Sequence, residues 1–364
     1  MSLHTAPSPA INPGTPDTIL WSSQDREAAF HSWFSVVAPL HHLAPATLRL
    51  ASADASFRRY FRVNQGNESC IIMDAPPDKE DCAPFAKVAS LMMAAGLNVP
   101  QVLAWEPSLG FMLLSDLGQQ TMMQVINRES PVANHGFYLQ ALDALIAWQM
   151  ASRPDVLPPY NEALMRRELE LFPEWYLTRH GGVAIDEPMR RTLDSTFKVI
   201  IEQCQAWPAV YVHRDFMPRN LMISPGKTQL GVLDFQDAVY GPVTYDIASL
   251  MRDAFLSWEE DFVLDITIRY WEKARKAGLP VGDDFGAFYR GVEWMGLQRH
   301  LKVAGIFARL TLRDGKPQYL ADAPRFINYI RTTTGRYREL TPLLRLIDQV
   351  EGTQAVSGYA FGRI

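Results

Sequence analysis

Three oxygen-bearing side chains at close spacing give this chain its clearest chemical signal. A strand-like VYV runs into His213-Arg214-Asp215, Asn220 follows five residues after Asp215, and Asp234-Phe235 comes after a second short apolar run. An aspartate, an amide and a second aspartate of this kind suit phosphoryl transfer, which needs an acceptor oxygen held in line and a cation to neutralise developing charge. Asp215 can orient an acceptor hydroxyl and take its proton. Asn220 and Asp234 offer the hard oxygens that Mg2+ prefers to nitrogen or sulfur. Pro218 and the flanking strands stiffen the loop between them. A polar β-turn needs none of this order, and the matched positions stand in a strand–loop–strand–loop setting.

The elements around the loop divide the chain. Residues 1–20 read as a polar, Pro-rich arm, with neither the basic start nor the apolar stretch of a signal peptide. A helix is expected from Gln24 to Val37, with Ser22 or Ser23 as N-cap and Pro39 as its stop. The segments TLRLA, RRYFRVN and SCIIMDA, separated by ASADASF and QGNE, predict a three-stranded antiparallel meander over 47–75. An amphipathic helix over 81–95 and two more strands, VLAW and FMLL, complete a small β-rich lobe over 21–117. A joint follows at Ser115-Asp116-Leu117-Gly118. The larger lobe, 118–350, is mainly helical, with helices expected over 132–152, 161–180, 187–205 and from 243 onward; 351–364 is a tail.

Composition excludes several function classes. The chain has 364 residues, 48% hydrophobic, with 35 Lys plus Arg against 40 Asp plus Glu and a net charge of −5. That balance does not attract a nucleic-acid backbone. The 3 cysteines, Cys70, Cys82 and Cys204, make no disulfide framework and point to a reducing compartment, so a cytoplasmic location is expected. No apolar run approaches the roughly 18 residues of a membrane span. Gly226-Lys227-Thr228 lacks the glycine a phosphate-binding P-loop needs, since Leu221 stands there. His41-His42 has no metal-ligand partner at suitable spacing.

His213-Arg214-Asp215 with Asn220 and Asp234-Phe235 matches the H-R-D-x-x-x-x-N and D-F-x elements of protein-kinase-like phosphotransferases. With the stretch from Asp234 through Gly241 to Asp246-Ile-Ala, the chain resembles the aminoglycoside phosphotransferase and choline kinase superfamily over residues 47–335. The resemblance implies an α+β, protein-kinase-like bilobal fold: a small antiparallel-sheet N-lobe for nucleotide and a larger, mainly helical C-lobe for catalysis and acceptor. It also implies an enzyme using ATP and Mg2+. Within the superfamily, SFRRYFRV, MDAPPDKED, HRDFMPRNLM and GLQRHLKVAGIFARLTLRDGK are most similar to the anomeric cell-wall sugar kinases of peptidoglycan recycling. Those enzymes phosphorylate the C1 hydroxyl of an amino sugar, and a nucleotidyltransferase then forms the UDP-sugar. Another acceptor, such as an aminoglycoside or choline, and a non-catalytic pseudokinase are the rival readings.

The resemblance assigns further roles. Loop 51–57 would cover the nucleotide phosphates, with Ser56, Phe57 and Arg58 among the contacts; a simple hairpin turn is the alternative. Strand three lacks the lysine that should pair the phosphates, and Met73 falls near its place. An arginine of the neighbouring strand is the expected substitute, Arg58 and Arg62 lying on one face and Arg59 with Phe57 and Phe61 on the other. Ser115, Asp116 and Leu117 would meet the adenine edge, although Asp116 also suits a turn cap. His213 and Asp246 would brace the catalytic loop. Arg219 and Asp237 are placed toward the acceptor. The basic cluster of Gln298, Arg299, His300 and Lys302 suits an anionic sugar rather than a polycation, or else structural ion pairs. Trp175 and Trp294 are core residues or platforms for a sugar ring.

Overall fold

A computed structural model describes residues 19–53, 57–224, 226 and 228–352. The chain forms two compact units. The first contains residues up to Ser90 together with Pro100–Leu117, and the second contains Leu91–Val99 and the chain from Gly118 onward.

The first unit is one sheet with a helix on it. Helix α1 (Gln24–Leu40) starts at Ser23, whose hydroxyl accepts from Arg26 N at 3.1 Å, with Asp25 and Glu27 in its first turn. It runs through Pro39 instead of stopping there. A proline in the last turn forfeits only its own backbone donor, and His41 N still reaches Val37 O at 3.1 Å. Strands β1 (Ala44–Ala53), β2 (Arg59–Gln65), β3 (Glu68–Asp74), β4 (Val102–Glu106) and β5 (Phe111–Ser115) form an antiparallel sheet in the order β1-β2-β3-β5-β4. Register sets Phe61 opposite Ile72 and Ile72 opposite Leu113. These residues pack with Phe30, Trp33, Phe34 and Val37 of α1 into one core. At its edge the buried Asp74 carboxylate accepts from both Arg26 and Arg59, and Arg59 also lies over Phe61, 5.4 Å from the ring centre. The expected alternation along β2 therefore holds for Arg59. Helix α2 (Ala83–Ala94) follows β3.

The second unit is mainly helical, with short strands that present loops. They are β6 (Gln120–Thr121), β7 (Ala209–Val212), β8 (Leu221–Ile223), β9 (Gly231–Val232) and β10 (Val239–Pro242). Strands β7 and β10 pair, as do β6, β8 and β9 in a second ribbon. The helices are α3 (Met122–Val125), α4 (His135–Met150), α5 (Glu162–Leu169), α6 (Glu187–Gln205), α7 (Tyr245–Met251), α8 (Glu260–Ala277), α9 (Phe285–Leu312), α10 (Ala323–Arg336) and α11 (Thr341–Val350). The helix expected over 161–180 is interrupted. After α5 the chain continues in π-helical turns from Phe172 to His180, because Pro173 has no N–H to carry an α-helical ladder. These turns lie against α9 at Gly305, where a Cβ would come within 2.3 Å of Leu171 O. Among the described residues no helix is long and apolar enough to cross a membrane.

The two glycines 305 and 136 should therefore behave oppositely. Gly305→Ala should cost about 1–3 kcal/mol through overpacking against backbone. Gly136→Ala, where a Cβ meets nothing within 4 Å in α4, should be neutral or stabilise by up to about 1 kcal/mol. Chemical denaturation measures both, and equal stability of the two variants would contradict the close approach.

Candidate active site

Strand β7 delivers the loop that carries His213, Arg214 and Asp215. Val210, Tyr211 and Val212 are buried, and β10 pairs with them in register, Val212 opposite Val239. Immediately after, the His213 N–H donates to Asp246 Oδ2 at 2.7 Å and the Arg214 N–H to Oδ1 at 3.0 Å. Asp246, the second residue of α7, is fully buried. Both oxygens thus hold the loop backbone, and Arg214 adopts a left-handed conformation with φ 79°. His213 locks the next turn. The Asp215 N–H lies 3.2 Å from Nδ1, so Nδ1 must accept and Nε2 carries the proton, 2.9 Å from Leu233 O. Burial lowers the His213 pKa although Asp246 and Asp215 oppose it, in keeping with the neutral ring this network requires.

Asp215, Asn220 and Asp234 come together as expected. Asn220 lies in the turn Pro218–Asn220, and its Nδ2 donates to Asp215 O at 2.9 Å and to Asp234 Oδ2 at 3.3 Å. Leu233 N donates to Asn220 O at 2.9 Å, tying the two loops through their backbones. Asp234 is left-handed, φ 62°, and its Oδ1 accepts from Gln236 Nε2 at 2.8 Å. The Asp215 side chain is 39% exposed, which leaves it open to a reactant. Burial of its surroundings works to raise its pKa, but Lys302, Arg299 and Arg214 together lower it, so the carboxylate is held in its charged form.

Those cations define the part of the site the sequence did not reveal. Glu168, in α5 and 5% exposed, accepts from Arg214 Nη2 at 2.5 Å, Gln298 Nε2 at 3.1 Å and the Tyr160 hydroxyl, and pairs with Lys302 Nζ at 2.9 Å. Arg299 Nη1 donates to Arg214 O at 2.5 Å, lies 4.9 Å from the Tyr245 ring centre, and reaches Asp215 Oδ1 at 3.9 Å. His300 stacks on Tyr329 at 4.6 Å, with Nε2 3.1 Å from Arg252 O. Arg299 and His300, expected at the acceptor, are thus placed against the loop and its neighbours. Both are buried, and their polar atoms brace loop backbone. Trp294 is fully buried and Trp175 is covered by Arg179, 4.1 Å from its ring centre, so both belong to packing. Arg219 lies over Phe255 at 4.6 Å, and Asp237 offers its carbonyl to Arg214 Nη1 at 3.4 Å.

In the first unit, each arginine near β2 holds a carboxylate. Arg58, 8% exposed, pairs with Glu80 at 3.0 Å. Arg62 Nε and Nη2 reach Asp116 at 2.5 and 3.1 Å, and the Ser69 hydroxyl adds a third donor to Asp116 at 2.6 Å. The Asp116 carboxylate thus holds β2 and β3 side chains. Ser115 Oγ accepts from Gln101 N at 2.9 Å, Leu117 is buried, and Phe57 is exposed. Met73 is fully buried in the sheet. Residues 54–56 of loop 51–57, Ser56 among them, lie outside the described residues, as do residues 1–18 of the arm and 353–364 of the tail.

A sequence profile of the phosphotransferase enzyme family (APH) matches residues 47–284. The chain belongs to this phosphotransferase family. The N-acetylmuramate/N-acetylglucosamine kinase of Neisseria meningitidis serogroup B is 47% identical over 339 residues, covering 92% of this chain and 99% of that protein. The kinase of the same name from Pseudomonas aeruginosa is 50% identical over 312 residues, 85% of this chain and 91% of that one. Among solved structures, an ethanolamine kinase from Plasmodium vivax superimposes with TM-score 0.59 at 11% identity, covering 92% of this chain and 94% of that one. That last likeness supports the protein-kinase-like fold alone.

The phosphotransferase loop can accommodate a divalent cation, judged by its donors. Asn220 uses Nδ2 on protein, which leaves Oδ1 for a cation, and the Asp234 carboxylate lies beside it. Among the described residues no group of three or more His, Cys, Asp or Glu could hold a metal ion by itself. A small oxygen set of this kind suits Mg2+, which completes its shell with water and phosphate oxygens.

Acid should loosen this phosphotransferase. Burial alone would raise the Glu168 carboxyl, but Lys302 and Arg214 hold it down at about 2. Burial and Arg252 hold His300 down at about 3. Both folded values lie below the ordinary ones, about 4.3 and 6.5. For these two groups the unfolded chain takes up protons first. The buried Asp253 carboxyl, pushed up to about 7, instead takes one up first in the folded chain and offsets the His300 loss. Stability therefore falls with pH mainly below about 4.3. Melting temperature against pH measures this. Glu168→Ala, which leaves Arg214 and Lys302 unpaired in the interior, should cost about 3–5 kcal/mol and reduce the fall at low pH, to which Glu260, also held at about 2, still contributes.

Proposed function

We propose that the protein transfers the γ-phosphoryl group of ATP to the anomeric hydroxyl of N-acetylmuramate and N-acetylglucosamine. The observation that carries this reading is the open, ionised Asp215 on a loop locked by Asp246, in a chain 47% identical to a kinase of those sugars over nearly its whole length. The Asp215 carboxylate accepts the acceptor hydroxyl's hydrogen bond and fixes its lone pair toward the phosphorus. Its lowered pKa makes it a weak base, so the proton passes to it late, as the new O–P bond forms. An anomeric hydroxyl suits such a base, because the ring oxygen withdraws electrons and makes it more acidic than the other sugar hydroxyls.

Asn220 Oδ1 and Asp234 would hold Mg2+, which neutralises charge on the phosphate oxygens when bound. Gln236 and the Asn220 amide keep the Asp234 carboxylate in place. In the first unit, backbone groups of Ser115 to Leu117 are assigned to the adenine edge, and Ser56, Phe57 and Arg58 to the phosphates. Arg62 and Asp116 serve that assignment as a mutual pair that stiffens the strands on either side. A sugar 1-phosphate product would be consumed by a nucleotidyltransferase that converts it to a nucleotide sugar.

Asp215→Asn should lower kcat by about 10²–10⁴-fold, and Asp234→Asn should abolish Mg2+-dependent turnover, with both variants folded by circular dichroism. Coupled ADP release over an acceptor panel checks them. Near-normal rates in either variant, or phosphorylation of kanamycin but neither amino sugar, would contradict the reading.

A further inference from the structure

One cavity in the second unit collects cations from segments far apart in sequence. It has a volume of about 400 Å3 and is lined by Met123, Arg128, Arg219, Phe255 and Arg325. Met123 belongs to α3 and Arg128 to the loop after it; Arg219 lies in the Pro218–Asn220 turn; Phe255 lies between α7 and α8; Arg325 is in α10. The volume falls within the range of small-ligand sites, about 300–1,000 Å3. In a chain with more acidic than basic residues, three guanidinium groups and no carboxylate line this space.

Neutral contacts position Arg128 and Arg219, and one holds Arg325 to the loop before Phe255. Arg219 lies over the Phe255 ring, Arg128 Nη2 sits 4.0 Å from Met123 Sδ, and Arg325 Nη1 lies 3.5 Å from Ala254 O. Among the described residues neither Arg128 nor Arg219 forms an ion pair with a carboxylate. Asp253, two residues before Phe255, is buried, and burial pushes its carboxyl up to about 7 against the pull of Arg299 and Arg219. At neutral pH it therefore compensates Arg219 only in part. Arginine forks match carboxylate and phosphate oxygens in pairs, and their charge does not titrate near neutrality.

Arg219 immediately precedes Asn220, so the cavity borders the catalytic loop. We infer that this three-arginine cavity binds the carboxylate of the acceptor and so sets the preference for an acidic amino sugar over a neutral one. The inference rests on the amino-sugar kinase reading above and goes beyond it by moving anion recognition from α9 to Arg128, Arg219 and Arg325. N-acetylmuramate carries a lactyl carboxylate that N-acetylglucosamine lacks, and the two sugars are otherwise matched probes.

The test compares wild type with Arg128→Gln and Arg325→Gln. The ratio of kcat/KM for N-acetylmuramate to that for N-acetylglucosamine should fall about 10–100-fold in each variant, in line with loss of a charged hydrogen bond. The change should lie in KM for the acidic sugar. Equal losses on both sugars would reduce the arginines to a structural role, and a raised KM for ATP would assign the cavity to nucleotide phosphate; either result overturns the inference. Calorimetric titration of N-acetylmuramate without nucleotide separates this from the catalytic reading. Should wild type turn over neither sugar, binding that weakens in Arg128→Gln would still support the cavity, and absence of binding would overturn it.

Discussion

The site depends on Arg214 being held in a left-handed conformation. For a residue with a Cβ this costs on the order of 1–3 kcal/mol, and its polar ends are held by three helices. Its N–H goes to Asp246 in α7, its carbonyl to Arg299 in α9, and its guanidinium to Glu168 in α5. With those ends fixed, the next residue has little freedom, and the next residue is Asp215. The direction of the Asp215 carboxylate is a consequence of how Arg214 is tied down.

The cluster that does this is expensive in isolation. Burying Glu168, Lys302, Arg299 and Asp246 removes four charged groups from water, and their mutual attraction offsets that cost only when the geometry is good. Here the main pairings are definite, with Lys302 and Arg214 on Glu168, Arg299 on a carbonyl and two backbone amides on Asp246. Arg214 Nε and Arg299 Nε have no acceptor among the described residues. The same charges do chemical work, since they keep Asp215 ionised where burial would favour protonation. Stability and reactivity thus share one set of side chains.

The local parts of this account were legible in the sequence. His213, Asp215, Asn220 and Asp234 lie within 22 residues and announce themselves by type and spacing, and the meander of the first unit follows from alternation and turn residues. The bracing was not legible, because it joins distant residues. Arg214 meets Glu168 across 46 positions and Arg299 across 85. In α5, Glu168 looks like any acid on an amphipathic helix. The basic cluster of α9 stands out in the sequence, yet its spacing does not say whether it faces a ligand or the loop. Nor could any window show Arg128, Arg219 and Arg325 lining one cavity, since three separate segments bring them there.

The most direct measurement is phosphorus–proton correlation NMR on the product made from N-acetylmuramate, ATP and Mg2+. The account predicts a phosphorus signal coupled to the anomeric proton, with ADP formed in equal amount. A phosphate coupled instead to the proton at C4 or the pair at C6, or ADP release without a phosphorylated sugar, would contradict it.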